Sequence, residues 1–171
     1  LGRKGRDTRE RILAAAATLL IEPEDAPFSL GEIARRASLG MTSLYNYFTD
    51  ITELLLAVLE PVMETAETEF LHLLGERCHA FVLAYHMFWA RHSRLLHLRN
   101  AMSDQFDERM FQHRIASTQP IIRLLIQQMA VGGGQLPHEA PQMASMTMIG
   151  IERAITIATD DRLAGLFAWE P

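Results

Sequence analysis

Ser29-Leu-Gly-Glu-Ile-Ala-Arg-Arg-Ala-Ser-Leu-Gly-Met-Thr-Ser-Leu-Tyr-Asn-Tyr-Phe48 is the stretch on which the fold turns. Ser29-x-x-Glu32 reads as a capping box, in which the Ser hydroxyl takes an orphan amide and the Glu reaches back to the cap. Ile33, Ala34 and Ala37 then form a narrow apolar face. A tight turn near Ser38 to Gly40 needs a residue that tolerates unusual dihedrals. A second short helix is predicted from Met41 to Phe48. Two short helices that cross steeply need a small residue where they touch, and Ala34 supplies it. Leu30, Ile33, Leu39 and Leu44 are the expected anchors of the pair on a preceding helix. Thr42, Ser43, Tyr45, Asn46 and Tyr47 are left pointing outward.

Outward from this stretch, helical periodicity continues in both directions. Ile12, Leu13, Ala16, Leu19 and Leu20 make one apolar stripe along a helix from Thr8 to Ile21. The segment Glu22 to Pro27, with two prolines, ends it. Asp50-x-x-Glu53 is a second capping box, opening a helix through Leu54, Leu55, Val58 and Leu59 that Pro61 should kink or end. Beyond it, long helices are expected at 66–92, at 104–129 with a bend at Pro120, and at 137–159. A short last helix is expected at 162–169, and Gly132-Gly133-Gly134 is the clearest flexible break. Period-2 alternation and hairpin turns are not found, so the fold class is all-α. Residues 1–53 form a three-helix N-terminal domain and 54–171 a C-terminal helical bundle.

Composition agrees. The 171 residues are 49% hydrophobic and 22% charged, the balance of a globular protein with a real core. No apolar run reaches the ~18–20 residues of a bilayer span, no secretory signal opens the chain, and a lone Cys78 suits a reducing, cytoplasmic setting. The net charge of −5 argues against nucleic acid until its distribution is considered. Residues 1–11 carry Arg3, Lys4, Arg6, Arg9 and Arg11 against only Asp7 and Glu10. That arm is either a solvated tail or an electrostatic foot for a polyanion.

The 29–48 pattern is that of a helix-turn-helix. The hydroxyls and amide on its second helix suit phosphates and base edges in a major groove. Three core helices with a polar outer face would show the same pattern. The order of elements adds to it. Thr8-Arg-Glu-Arg-Ile-Leu-Ala-Ala-Ala, Ser29 to Leu39, Ser43-Leu-Tyr-Asn-Tyr-Phe and Glu53-Leu-Leu-Leu-Ala-Val-Leu together resemble the N-terminal signature of TetR-like (tetracycline-repressor-type) regulators, over roughly residues 8–60. The resemblance implies a homodimer that binds a palindromic operator in double-stranded DNA and is released by a small-molecule effector. It implies a phosphate contact for Ser29, positions at the start of the recognition helix for Thr42 and Ser43, and a base-facing role for Asn46. Tyr45 and Tyr47 would hold phosphates or support the helix, and Leu44 and Phe48 would be core.

The chain departs from the family where Ser38 replaces the usual Gly, Gly40 a polar cap, and Met41 and Ile51 frequent lysines. It has no Lys or Arg between Arg36 and Arg77. Arg3, Lys4 and Arg6, which would track the backbone or enter the minor groove, must then supply the positive field with Arg35 and Arg36. These departures support an alternative: a helical ligand-binding or protein-interaction protein with weak DNA affinity.

In the C-terminal half, Phe81, Tyr85, His86, Trp89, Met102 and Met110 are candidates for an apolar or aromatic effector site, and equally for the core of a bundle. His86, His113, Asn100 and Gln105 are the polar groups placed to orient a ligand. His72, His79 and His86 recur every seven residues, a rise of roughly 10 Å along a helix and too far for one ion. No metal, cofactor or catalytic set is expected: the glycine run lacks the Lys-Ser/Thr of a phosphate loop, and adjacent Cys78 and His79 point apart. The resemblance places the dimer interface at 137–159, around Gly150.

Overall fold

A computed structural model describes residues 2–22, 27–75, 78–129, 138–160 and 162–163. The glycine run at 132–134, Pro137 and the helix expected at 162–169 lie outside the described residues, apart from 162 and 163 themselves, which form a turn. Every regular element among the described residues is helical. The chain divides into two compact units, Leu1–Met63 and Glu64–Pro171. The 53/54 division expected from sequence falls inside one continuous helix, α4 (Ile51–Glu64).

In the first unit α1 (Arg3–Ile21) packs on α2 (Leu30–Arg36), and α2 on α3 (Met41–Tyr45). Ile12, Ala16 and Leu19 of α1 are buried, as are Ile33, Ala34, Leu44 and Phe48. Leu30 and Leu39 are half-buried. Ser29 Oγ accepts from the Glu32 amide at 3.3 Å, as the capping box requires. Asp50 does the same for Glu53 at 2.8 Å.

The turn after α2 is a Schellman motif. The amide of Ser38 donates to Arg35 O and that of Leu39 to Ala34 O. Its geometry puts Ser38 at φ +54°, in the left-handed region where a Cβ costs of order 1 kcal/mol. The same motif closes α7 (Ser93–Asp104), where Asp107 N donates to Met102 O and Phe106 sits at φ +66°. Ser38→Gly is therefore expected to raise stability by about 0.5–1 kcal/mol, read from urea unfolding midpoints; an unchanged or lower midpoint contradicts the strain.

α3 is shorter than expected. Helical geometry ends at Tyr45, and Tyr47 and Phe48 both return their amides to Leu44 O. α4 runs three residues past Pro61 before it stops.

The second unit differs most from expectation. In place of one helix over 66–92 there are α5 (Ala66–Glu69), a 3-10 segment (Leu71–Gly75) and α6 (Cys78–Arg91). Phe70, at φ −144°, breaks the run and carries its ring into the side of α6. Its centroid lies 4.9 Å from Tyr85, 5.0 Å from Phe88 and 6.0 Å from Phe81. Burial of an aromatic ring in edge-to-face contact outweighs one turn of helix. The break also removes His72 from the helix that carries His79 and His86.

α7 occupies residues to which the sequence reading assigned no element, apart from Asp104, and α8 (Glu108–Met129) starts after the Phe106 turn, where Asp107 caps the Met110 amide at 3.0 Å. α8 continues through Pro120. α9 (Ala140–Ala158) packs on α8 and α6, and α7 on α8. No described helix is long and apolar enough to cross a membrane.

Candidate nucleic-acid interface

α3 hangs on one leucine. Leu44 is fully buried, while Thr42, Ser43, Tyr45 and Asn46 are exposed and Tyr47 is half-buried. The five-residue helix thus presents two hydroxyls, a phenol and an amide on one side of a single anchor. Gly40 precedes it as an N-cap without a side-chain hydrogen bond. Met41, beside it, is also exposed. Ser29, half-buried, has its hydroxyl engaged at the α2 cap.

The basic groups are placed differently from one another. Arg3, Lys4 and Arg6 are exposed on the first turns of α1, so this arm is helical from Arg3 onward rather than an extended tail. Arg9 lies over the Phe48 ring, 5.2 Å from its centroid, and Arg11 donates to Ala37 O. Both brace α1 against the turn and the end of α3. Sequence inspection missed this bracing, because the partners lie 26 and more residues away.

Arg35 and Arg36 are not free to supply positive field. Glu32 does not close its capping box but faces both guanidiniums, at 2.6 Å from Arg35 and 2.7 Å from Arg36. Arg36 also pairs with Glu22, in a bidentate contact whose longer arm is 2.7 Å. Hydrogen bonds from Arg35 and then Arg36 hold the Glu32 carboxyl at about 2. A depressed carboxylate contributes what stability it has at pH above the ordinary range near 4.5, and loses it as pH falls towards 2. The ion pairs are intact at neutral pH.

Glu32→Gln keeps the Ser29 cap, which uses the backbone amide, and releases Arg35. The variant should bind DNA several-fold more tightly at ~100 mM salt, with the log–log salt slope steeper by about one. An unchanged slope in a fluorescence-anisotropy titration would mean that Arg35 faces no phosphate.

The second unit gathers part of the residue set expected for an effector. Phe81 and Tyr85 stack at 5.7 Å, Tyr85 meets Trp89 edge-on at 6.4 Å, and Met110 is fully buried. His86 and Met102 are half-buried. Burial, then the Glu152 charge, pushes the Tyr85 phenol up to about 12, so it stays protonated. Asn100 is buried, Gln105 is exposed at the end of α7, and His113 is half-buried. What sequence did not signal is a buried pair of charges, Arg99 on α7 and Glu152 on α9. Among the described residues no group of three potential ligands is set to hold a metal ion.

A capped helix, a Schellman turn and a short helix with a polar outer face define a helix-turn-helix DNA-binding domain. Residues 12–58 match the family model described as bacterial regulatory proteins, tetR family. The match falls on the helix-turn-helix unit and supports a DNA-binding domain similar to that of this family of transcriptional regulators. No curated protein matches the chain.

Proposed function

We propose that the protein is a ligand-responsive repressor: a homodimer that holds a palindromic operator through residues 1–53 and lets go when a small, largely apolar effector enters 54–171. The observation that carries the reading is the exposed polar face of α3 on its buried Leu44 anchor. On this reading Thr42, Ser43 and Asn46 read base edges, Tyr45 and Tyr47 contact phosphates, and Ser29 meets the backbone at the start of α2. Arg3, Lys4 and Arg6 supply the positive foot from the first turns of α1.

Dimerisation is assigned to α9. Its buried face carries Ala144, Met148, Glu152 and Ile155. Met143, Met146 and Ala154 are exposed on the other side, with Gly150 open beside them. An apolar face at i, i+3 and i+7 opposite the core supports a helix that packs on its own copy. Phe81, Tyr85, His86, Trp89, Met102 and Met110 are proposed to receive the effector.

The test is the double variant Thr42→Ala/Asn46→Ala. Losing base contacts should weaken operator binding by about tenfold or more and leave random-duplex binding unchanged. Equal losses on both DNAs would assign these side chains to the backbone instead.

A further inference from the structure

Charge is rarely buried without a reason, and the second unit buries it between four helices. Arg99 is 3% exposed. Its guanidinium lies over the Trp89 ring, 5.7 Å from the centroid. It donates to Asn100 Oδ1 at 3.0 and 3.1 Å, to Ser117 Oγ at 3.2 Å and to Glu152 Oε1 at 3.2 Å. Arg114 reaches the other Glu152 oxygen at 3.3 Å and the exposed Asp104 at 3.0 Å. Taking an ion pair out of water costs several kcal/mol per charge, which only short, well-aligned bonds offset.

The bonds here are long. Charge-assisted N–H···O⁻ contacts settle at ~2.7–2.9 Å, the range that Arg36 achieves with Glu32. The buried cluster is looser than the half-exposed one. Among the described residues it is also short of negative charge: one buried carboxylate serves two guanidiniums, and the second carboxylate stands in solvent, where it is screened. Among the described residues His113 Nδ1 is buried without a hydrogen-bond partner, and burial, then the Arg99 charge, pushes the His113 imidazole below its usual range. Aromatic rings, Trp89 over Arg99 and Tyr85 beside it, complete the surroundings.

We infer that Arg99 and Arg114 form the anion-reading centre of the effector site, and that the effector is an apolar molecule carrying one carboxylate. The inference rests on the ligand-responsive reading above and names the chemistry of that same site. A monoanion supplies the missing charge and lets each guanidinium make short bonds. Cations are repelled by the two arginines, and a phosphate dianion brings more charge and more acceptor sites than two guanidiniums and an apolar surround satisfy. Glu152 ties α9 to α7 and α8, so an anion that competes for its arginines acts on the helix assigned to dimerisation.

The experiment uses the full chain and two matched pairs of probes: 2-naphthoate with 2-naphthalenemethanol, and octanoate with 1-octanol. Binding is followed by Trp fluorescence and thermal shift. The carboxylates should bind about tenfold or more tighter than their alcohols. Arg114→Gln, at a half-buried position that tolerates the change, should bring carboxylate affinity down to that of the alcohol without altering alcohol affinity. A merely structural arginine would leave that ratio intact. Equal or tighter binding of the alcohols overturns the inference, as does a preference that survives Arg114→Gln, or no binding of any probe. Operator selection separates the two readings. A chain that selects an operator but ignores carboxylates sinks only the anion site. Carboxylate binding without operator selection supports the anion site and contradicts the regulator.

Discussion

Glu152→Ala should destabilise the protein by about 3–5 kcal/mol, the largest effect expected of a single substitution outside the aromatic core. The variant leaves Arg99 charged, buried and, among the described residues, hydrogen-bonded only to the neutral oxygens of Asn100 and Ser117. Arg114 is left with Asp104 alone, in solvent. Arg99 is already pushed down from its usual range by burial, against which the Glu152 charge is the chief opposing influence. The loss should appear as a fall in Tm on the order of 10 °C. The double variant Arg99→Met/Glu152→Leu, which removes both charges and keeps the volume, should recover most of it. If Glu152→Ala melts with the parent, the pair is not buried in solution. If the double variant is as damaged as the single, packing rather than charge holds the three helices.

Leu44→Ala is the second. Leu44 is fully buried, and it is the one buried residue of a five-residue helix. Its truncation should cost about 2–5 kcal/mol, the range for a core leucine whose site cannot collapse. For a helix too short to persist alone, that is enough to unseat α3. DNA binding should fall to the non-specific level, with most helical circular dichroism retained at low temperature because the long helices α6 to α9 are untouched. Full sequence-specific binding by Leu44→Ala would show that α3 is not positioned through this residue.

The contrast between these two sites follows what sequence can carry. The N-terminal reading rests on local rules. Ser29 caps three residues ahead, Ser38 falls where a left-handed residue is needed, and Leu44 stands alone among polar neighbours. Each is a relation within one turn of chain, so α2, the turn and the outward set on α3 were legible. Even there the long-range partners were not: Glu32 completes a capping box by spacing but is captured by two arginines, and Arg9 and Arg11 reach across to Phe48 and Ala37.

The second unit is governed by relations that spacing does not encode. Phe70 belongs to an unbroken helical pattern until the rings of α6, up to 18 residues on, compete for it. Phe106 occupies a position suited to glycine and is 94% exposed, so neither propensity nor burial announces the corner between α7 and α8. Arg99 and Glu152 lie 53 residues apart and look like surface charges on amphipathic helices. The aromatic candidates Phe81, Tyr85 and Trp89 were legible as apolar residues, but the charged centre beside them was not.

The proposed function stands on sequence-specific DNA binding by a dimer of this chain. It is tested most directly by selecting bound duplexes from a random pool at ~100 mM salt, where non-specific electrostatic binding is already weakened. A symmetric dimer should enrich an inverted repeat whose half-sites lie about one helical turn, or a whole multiple of it, apart. A folded, dimeric protein that enriches no sequence would contradict the proposed function.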